Sequence, residues 1–110
     1  MMLPYASEAR IEKEKLLDYL LSPNHPKGRP KTEFFASFGL DAASWETLRA
    51  ALLKHAVTYE VTRTVESPYG MQYVMEDQIE TPDGRNPLIR TVWMISEENP
   101  RPRLITAYPL

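Results

Sequence analysis

Residues 22–31 read SPNHPKGRPK, so His25, Lys27, Arg29 and Lys31 share ten positions with three prolines and a glycine. An imidazole exchanges its proton near neutral pH and can serve as general acid or base. Ammonium and guanidinium groups beside it can hold a phosphate and stabilise developing negative charge. Gly28 would let the backbone approach such a ligand closely. A loop between two helices is also polar simply because it is wet. His25 would then be a cation near a helix C-terminus, where the dipole favours one. On residues alone both readings stand.

Further along, Arg63 interrupts an apolar alternation: a charge on a core-facing strand position needs a partner or a site, whereas on a face solvated at its end it implies nothing, since edge positions often carry charges. Arg90, Thr91, Thr106 and Tyr108 lie in two late strand segments, RTVW and LITAY. Hydroxyls on neighbouring strands can bind phosphate or polarise a proton transfer, though threonine is also a good strand residue. Tyr108 beside Pro109 reads as closing the core, and Trp45 and Trp93 read as core. His55 reads as a surface residue offsetting the dipole of its helix.

The elements that must position these groups fall into two halves. In the first, EARIEKEKLLDYLLS carries a leucine stripe and reads as a helix, with Ser7 as N-cap and Pro23 and Pro26 as stops. KTEFFASFG is a short helix ended by Gly39. DAASWETLRAALLKHA is a third, capped by Asp41 or Ser44, with Trp45, Leu48, Leu52 and Ala56 on one side. After Ala56 the period changes to two, and VTYEVTRTV reads as a strand. MQYVMEDQIE, LIRTVWMIS and LITAYPL follow as three more, separated by turns at ESPYG, TPDGRNP and EENPRPR. Short connections argue for an antiparallel meander. Helices grouped before it predict a two-layer α+β domain, helices packed on a four-stranded antiparallel sheet, over residues 1–110.

Composition removes several classes of function. The 110 residues suit one domain, and the net charge of -2 gives no overall basic excess, so any basic surface is local. No cysteine is present, which removes disulfides, thiolate metal sites and cysteine nucleophiles. Two histidines are too few to suggest a dedicated histidine metal site. There is no phosphate loop, dinucleotide fingerprint, zinc spacing or nucleophile elbow, so no cofactor is expected. No signal segment or membrane-length apolar run is visible, and a cytoplasmic location is expected.

The stretch KLLDYLLSPNHPKGRPKTEFF, with RTVW and the terminal RLITAYP, resembles a small bacterial and archaeal family of unknown function over Leu3 to Leu110. Its motif has the form K-L-x-x-Y-L-L-x-P-x-H-P-x-G-x-x-K-x-x-F-F. The chain also resembles nuclease toxin domains of the barnase–EndoU–colicin–RelE superfold, which place helices before a four-stranded antiparallel sheet. That resemblance implies metal-independent RNA cleavage. It makes His25 an acid or base, Thr106 a hydroxyl at the sheet, and Lys31 and Arg90 phosphate ligands. With Lys27 and Arg63 added from their charge and placement, these are the catalytic and RNA-binding candidates. The implied partners are RNA and a small cognate antitoxin-like protein. The alternative is a non-catalytic interaction module that forms a complex with a small partner, in keeping with the negative charge.

Overall fold

The structure is a computed structural model describing residues 1–22, 24–27 and 29–110. Pro23 and Gly28, expected to stop the first helix and to free the loop, lie outside the described residues. Helical segments occupy the first half and four strands the second, as an α+β fold. The strands are β1 (Arg63–Ser67), β2 (Gly70–Gln78), β3 (Leu88–Ile95) and β4 (Arg103–Pro109). They form one antiparallel sheet in sequence order, β1-β2-β3-β4. The expected meander is therefore the observed topology.

Register separates the two faces. Paired residues on adjacent strands project to the same side. Met75, Ile79, Ile89, Trp93, Leu104 and Ala107 point to one side and join the core with Leu16, Leu20, Phe35, Leu48 and Leu52 from the helices. The other side carries the rows Glu76–Arg90–Tyr108, Arg63–Val74–Val92–Thr106 and Gln72–Met94–Arg103. The helical layer covers the first face and leaves this second one more open: Arg63 is exposed and Gln72, Arg90 and Arg103 are half-buried, with Val74 and Met94 buried among them. An irregularity in the pairing between Val92 and Trp93 absorbs Ile105, so Leu104 faces the core while Thr106 keeps to the open face.

The helical layer follows its sequence signals in part. α1 (Lys13–Lys15) runs into wider π turns over Leu16–Leu20, closed by the Leu21 N–H on the Leu16 carbonyl. This helix begins later than the leucine pattern suggests, and Ser7 is not its cap. Residues 9–12 are extended instead, because Arg10 pairs its backbone with Pro102 and Leu104 beside β4. α2 (Arg29–Ser37) ends as expected at Gly39. Gly39 takes φ 88°, while the Gly39 and Leu40 N–H groups return to the Ala36 and Phe35 carbonyls. α3 (Trp45–Thr58) is preceded by a reciprocal cap between Asp41 and Ser44. It continues through Val57 and Thr58, which the change of period assigned to a strand. The Thr58 hydroxyl donates to the Lys54 carbonyl inside the helix, and β1 starts only at Arg63.

Candidate functional site

The loop after the π turns is fastened at both ends. The Thr32 hydroxyl lies against the Leu20 and Ser22 carbonyls, tying the start of α2 to the end of the preceding helix. The Arg29 N–H donates to the His25 carbonyl, and the Lys27 N–H donates to His25 Nδ1 at 3.1 Å. That second bond marks Nδ1 as the nitrogen carrying the lone pair. The imidazole edge meets the ring of Tyr19 at a centroid distance of 4.9 Å. His25 thus has a defined position although its loop is polar.

Tyr19 is the hub. Lys31 Nζ donates to its hydroxyl at 2.5 Å and to the Lys27 carbonyl at 3.4 Å, and lies 4.7 Å from the Tyr19 ring centroid. Burial would raise the phenol's pKa. The Lys31 hydrogen bond, the Thr106 hydroxyl and the charges of Lys31 and Lys15 outweigh it, so the pKa falls below its ordinary value. Thr106 Oγ1 is buried and completes no hydrogen bond of good geometry, so its influence on Tyr19 is a weak alignment. A buried hydroxyl in that condition has capacity left for a ligand.

Next to this group stand Tyr108 and Arg90. The Lys31 ammonium is 5.9 Å from the Tyr108 ring centroid. Arg90 lies over the same ring at 5.5 Å and donates to the Tyr108 hydroxyl at 3.2 Å. Its other nitrogens pair with Glu76 across the β2–β3 ladder. These hydrogen bonds, to Tyr108 first and Glu76 second, raise the guanidinium pKa further.

His25, Lys31, Thr106 and Arg90 are therefore brought into one neighbourhood, at the β4 edge of the open face. Lys27 contributes its backbone there, while its side chain is exposed. Arg63 is on the same face but at the opposite edge, on β1. It is exposed, not core-facing as the alternation suggested, because the helices cover the other side of the sheet. Tyr19 and Glu76 were not singled out from the sequence for this role; Tyr108 was named among the strand hydroxyls but read as closing the core, whereas it lies opposite Arg90 on the open face. Tyr19 sits among leucines in the sequence, and no local signal sets it apart.

His55 is a second correction. It is 2% exposed, with Nδ1 2.9 Å from the Gln78 carbonyl and Nε2 3.1 Å from Thr91 Oγ1. Trp93 Nε1 donates to the same Thr91 oxygen at 3.0 Å. Burial lowers the His55 pKa, more than the Gln78 carbonyl and Asp77 raise it. It is part of the core, not a surface group offsetting a helix dipole. Among the described residues no three His, Asp or Glu side chains gather as metal ligands, and no helix is long and apolar enough to cross a membrane.

An α+β domain with helices on one face of a meander and a cationic, tyrosine-centred cluster where that layer meets the β4 edge defines the structural class. The chain belongs to the family described as domain of unknown function DUF6883, whose model matches residues 2–110. None of the curated proteins has a matching sequence. Among solved structures, the fold is similar to a chain of a contact-dependent growth inhibition toxin–immunity protein complex from Klebsiella pneumoniae 342. The TM-score is 0.73 at 14% identity, with 96% of each chain covered.

Proposed function

We propose that this protein is a metal-independent endoribonuclease of toxin type. The observation that carries the reading is the convergence of His25, Tyr19, Lys31 and Thr106 at one edge of the open face, with Arg90 and Tyr108 alongside. RNA cleavage of this kind needs a base, an acid and cations on the phosphate. The His25 lone pair would take the 2′-hydroxyl proton, once substrate displaces the Lys27 N–H. The 2′-oxygen then bonds to phosphorus, and the bond from phosphorus to the 5′-oxygen breaks. Tyr19, its phenol made more acidic, would protonate the departing 5′-oxygen. Lys31 would stabilise the phenolate left behind, and Lys31 and Arg90 the charge on the phosphorane.

The products are a 2′,3′-cyclic phosphate and a 5′-hydroxyl. The test is incubation of purified protein with transfer RNA and total RNA in EDTA. Wild type should cleave. His25→Ala and Tyr19→Phe should each lose about 10²- to 10⁴-fold in rate. Equal, intact RNA in all three samples would sink the catalytic reading.

A second reading is a non-catalytic module that binds a small cognate protein. It is favoured by the net charge of -2 and by the pairing of Arg90 with Glu76, which spends the guanidinium inside the molecule. The fold neighbour comes from a two-protein complex, in keeping with such a partner for either reading. Co-purification with the product of the adjacent gene, without RNA cleavage by the freed protein, would favour this second reading.

A further inference from the structure

We propose that single-stranded RNA runs across the open face, away from the His25–Lys31 cluster, and that Arg10 and Arg103 hold a flanking phosphate. The proposal rests on reading that cluster as a phosphodiester site. Arginine pairing first picks out three residues. Arg29, Arg85 and Arg90 are paired with carboxylates. Arg49 donates one terminal nitrogen to the Ile11 carbonyl and stacks on Trp45, though its Nε, like that of Arg10, is buried without an acceptor; Arg101 donates to the Glu8 carbonyl. Among the described residues, Arg10, Arg63 and Arg103 have no such side-chain acceptor, carboxylate or ring. All three belong to the open side of the sheet. Arg63 and Arg103 are there by strand register, and Arg10 by its parallel bridge to Arg103, which prolongs that row beyond β4.

Arg10 and Arg103 are half-buried side by side, and Arg10 Nε is buried without an acceptor. A buried, unpaired guanidinium donor is costly unless something supplies an oxygen. Both line a cleft of about 930 Å³ that also takes in Arg101 and the ring of Tyr69. Tyr69 is 78% exposed at the β1–β2 turn. An exposed aromatic beside cations is the pairing that single-stranded nucleic acids use, by base stacking and phosphate contact. Arg103 and Tyr108 are five residues apart on β4, or about 16 Å along the strand. That separation fits two phosphates of one strand a few nucleotides apart, not one phosphate held twice. Four exposed carboxylates, Glu12, Glu66, Glu97 and Glu98, line the same cleft. They oppose a polyanion at the rim, which restricts the subsite to one phosphate at the guanidiniums and keeps its affinity modest.

Binding of a 2′-O-methylated, uncleavable oligonucleotide of about 12 nucleotides, followed by fluorescence anisotropy against salt, tests this. Arg10→Ala and Arg103→Ala should each weaken binding roughly fivefold or more and reduce the salt slope by about one. Glu97→Gln with Glu98→Gln should strengthen binding. Lys54→Ala, on the helical layer, should leave it unchanged. Arg103→Lys keeps the charge and should recover part of the loss, which separates a phosphate contact from a folding defect. Unchanged affinity and slope in both alanine variants would overturn the subsite, as would wild-type binding to an acidic peptide but not to RNA. Wild-type cleavage in a parallel assay separates the two ideas. Binding through these arginines without cleavage removes the catalytic reading and keeps the subsite; cleavage with full affinity in both variants removes the subsite alone.

Discussion

On the covered face of the sheet, a histidine, a threonine and a tryptophan are joined in one buried chain. On the open face, a histidine, a threonine and two tyrosines gather around a lysine. In the first group each polar atom is matched: His55 to Gln78 and Thr91, and Trp93 to Thr91. Buried polar groups that satisfy one another fix a core and keep nothing for a ligand. In the second, among the described residues, Thr106 Oγ1 has no well-formed bond, and Lys31 is held by a phenol and a carbonyl with no carboxylate. The residue types are nearly the same; completion of the hydrogen bonds separates a structural network from a binding one.

That contrast predicts where substitutions will act. Trp93→Ala should cost about 3–5 kcal/mol in urea unfolding, because Trp93 is fully buried. A cost near zero would mean that the covered face is not the core. The two threonines give a sharper comparison. Thr91→Val leaves Trp93 Nε1 without its acceptor and His55 without its partner, and should cost about 1–3 kcal/mol. Thr106→Val removes a hydroxyl that completes no bond, and should change stability by less than about 0.5 kcal/mol while lowering RNA cleavage. Similar stability losses at both sites would erase the distinction.

The smallest effect is on pH. The folded pKa of His55 is lowered, so the unfolded chain takes up the proton first. Its stability contribution is complete above the unfolded value of about 6.5 and is lost as pH falls from there toward the folded value. Urea midpoints should therefore decline as pH falls below about 6.5, and decline less in His55→Gln. The same decline in that variant would assign the effect to other groups.

Much of the scaffold was legible in the sequence. Gly39, the Asp41–Ser44 cap, the turns around Gly70 and Gly84 and the strand segments that became β2 to β4 are local signals, and they match the structure. The misreadings came from long-range contacts. Residues 9–12 look helical by pattern, but their backbone is taken by Pro102 and Leu104, some ninety positions away in sequence. Val57 and Thr58 favour strands, yet a packed helix carries them to its end. His55 sits in a last helical turn like many surface histidines, and only tertiary packing places Gln78 and Thr91 against it. The candidate site was half legible. Charges in a stiff loop stood out as His25 and Lys31, whereas Tyr19 drew no attention among its leucines and Tyr108 looked like core, because tyrosine serves both purposes.

The most direct test of the account is the chemistry of the ends produced from 5′-labelled RNA in EDTA. Wild type should leave 2′,3′-cyclic phosphates, and His25→Ala and Tyr19→Phe, folded to the same melting temperature, should leave almost none. Intact RNA with wild type, or equal cleavage by all three proteins, would contradict the assignment of the open-face cluster as a catalytic site.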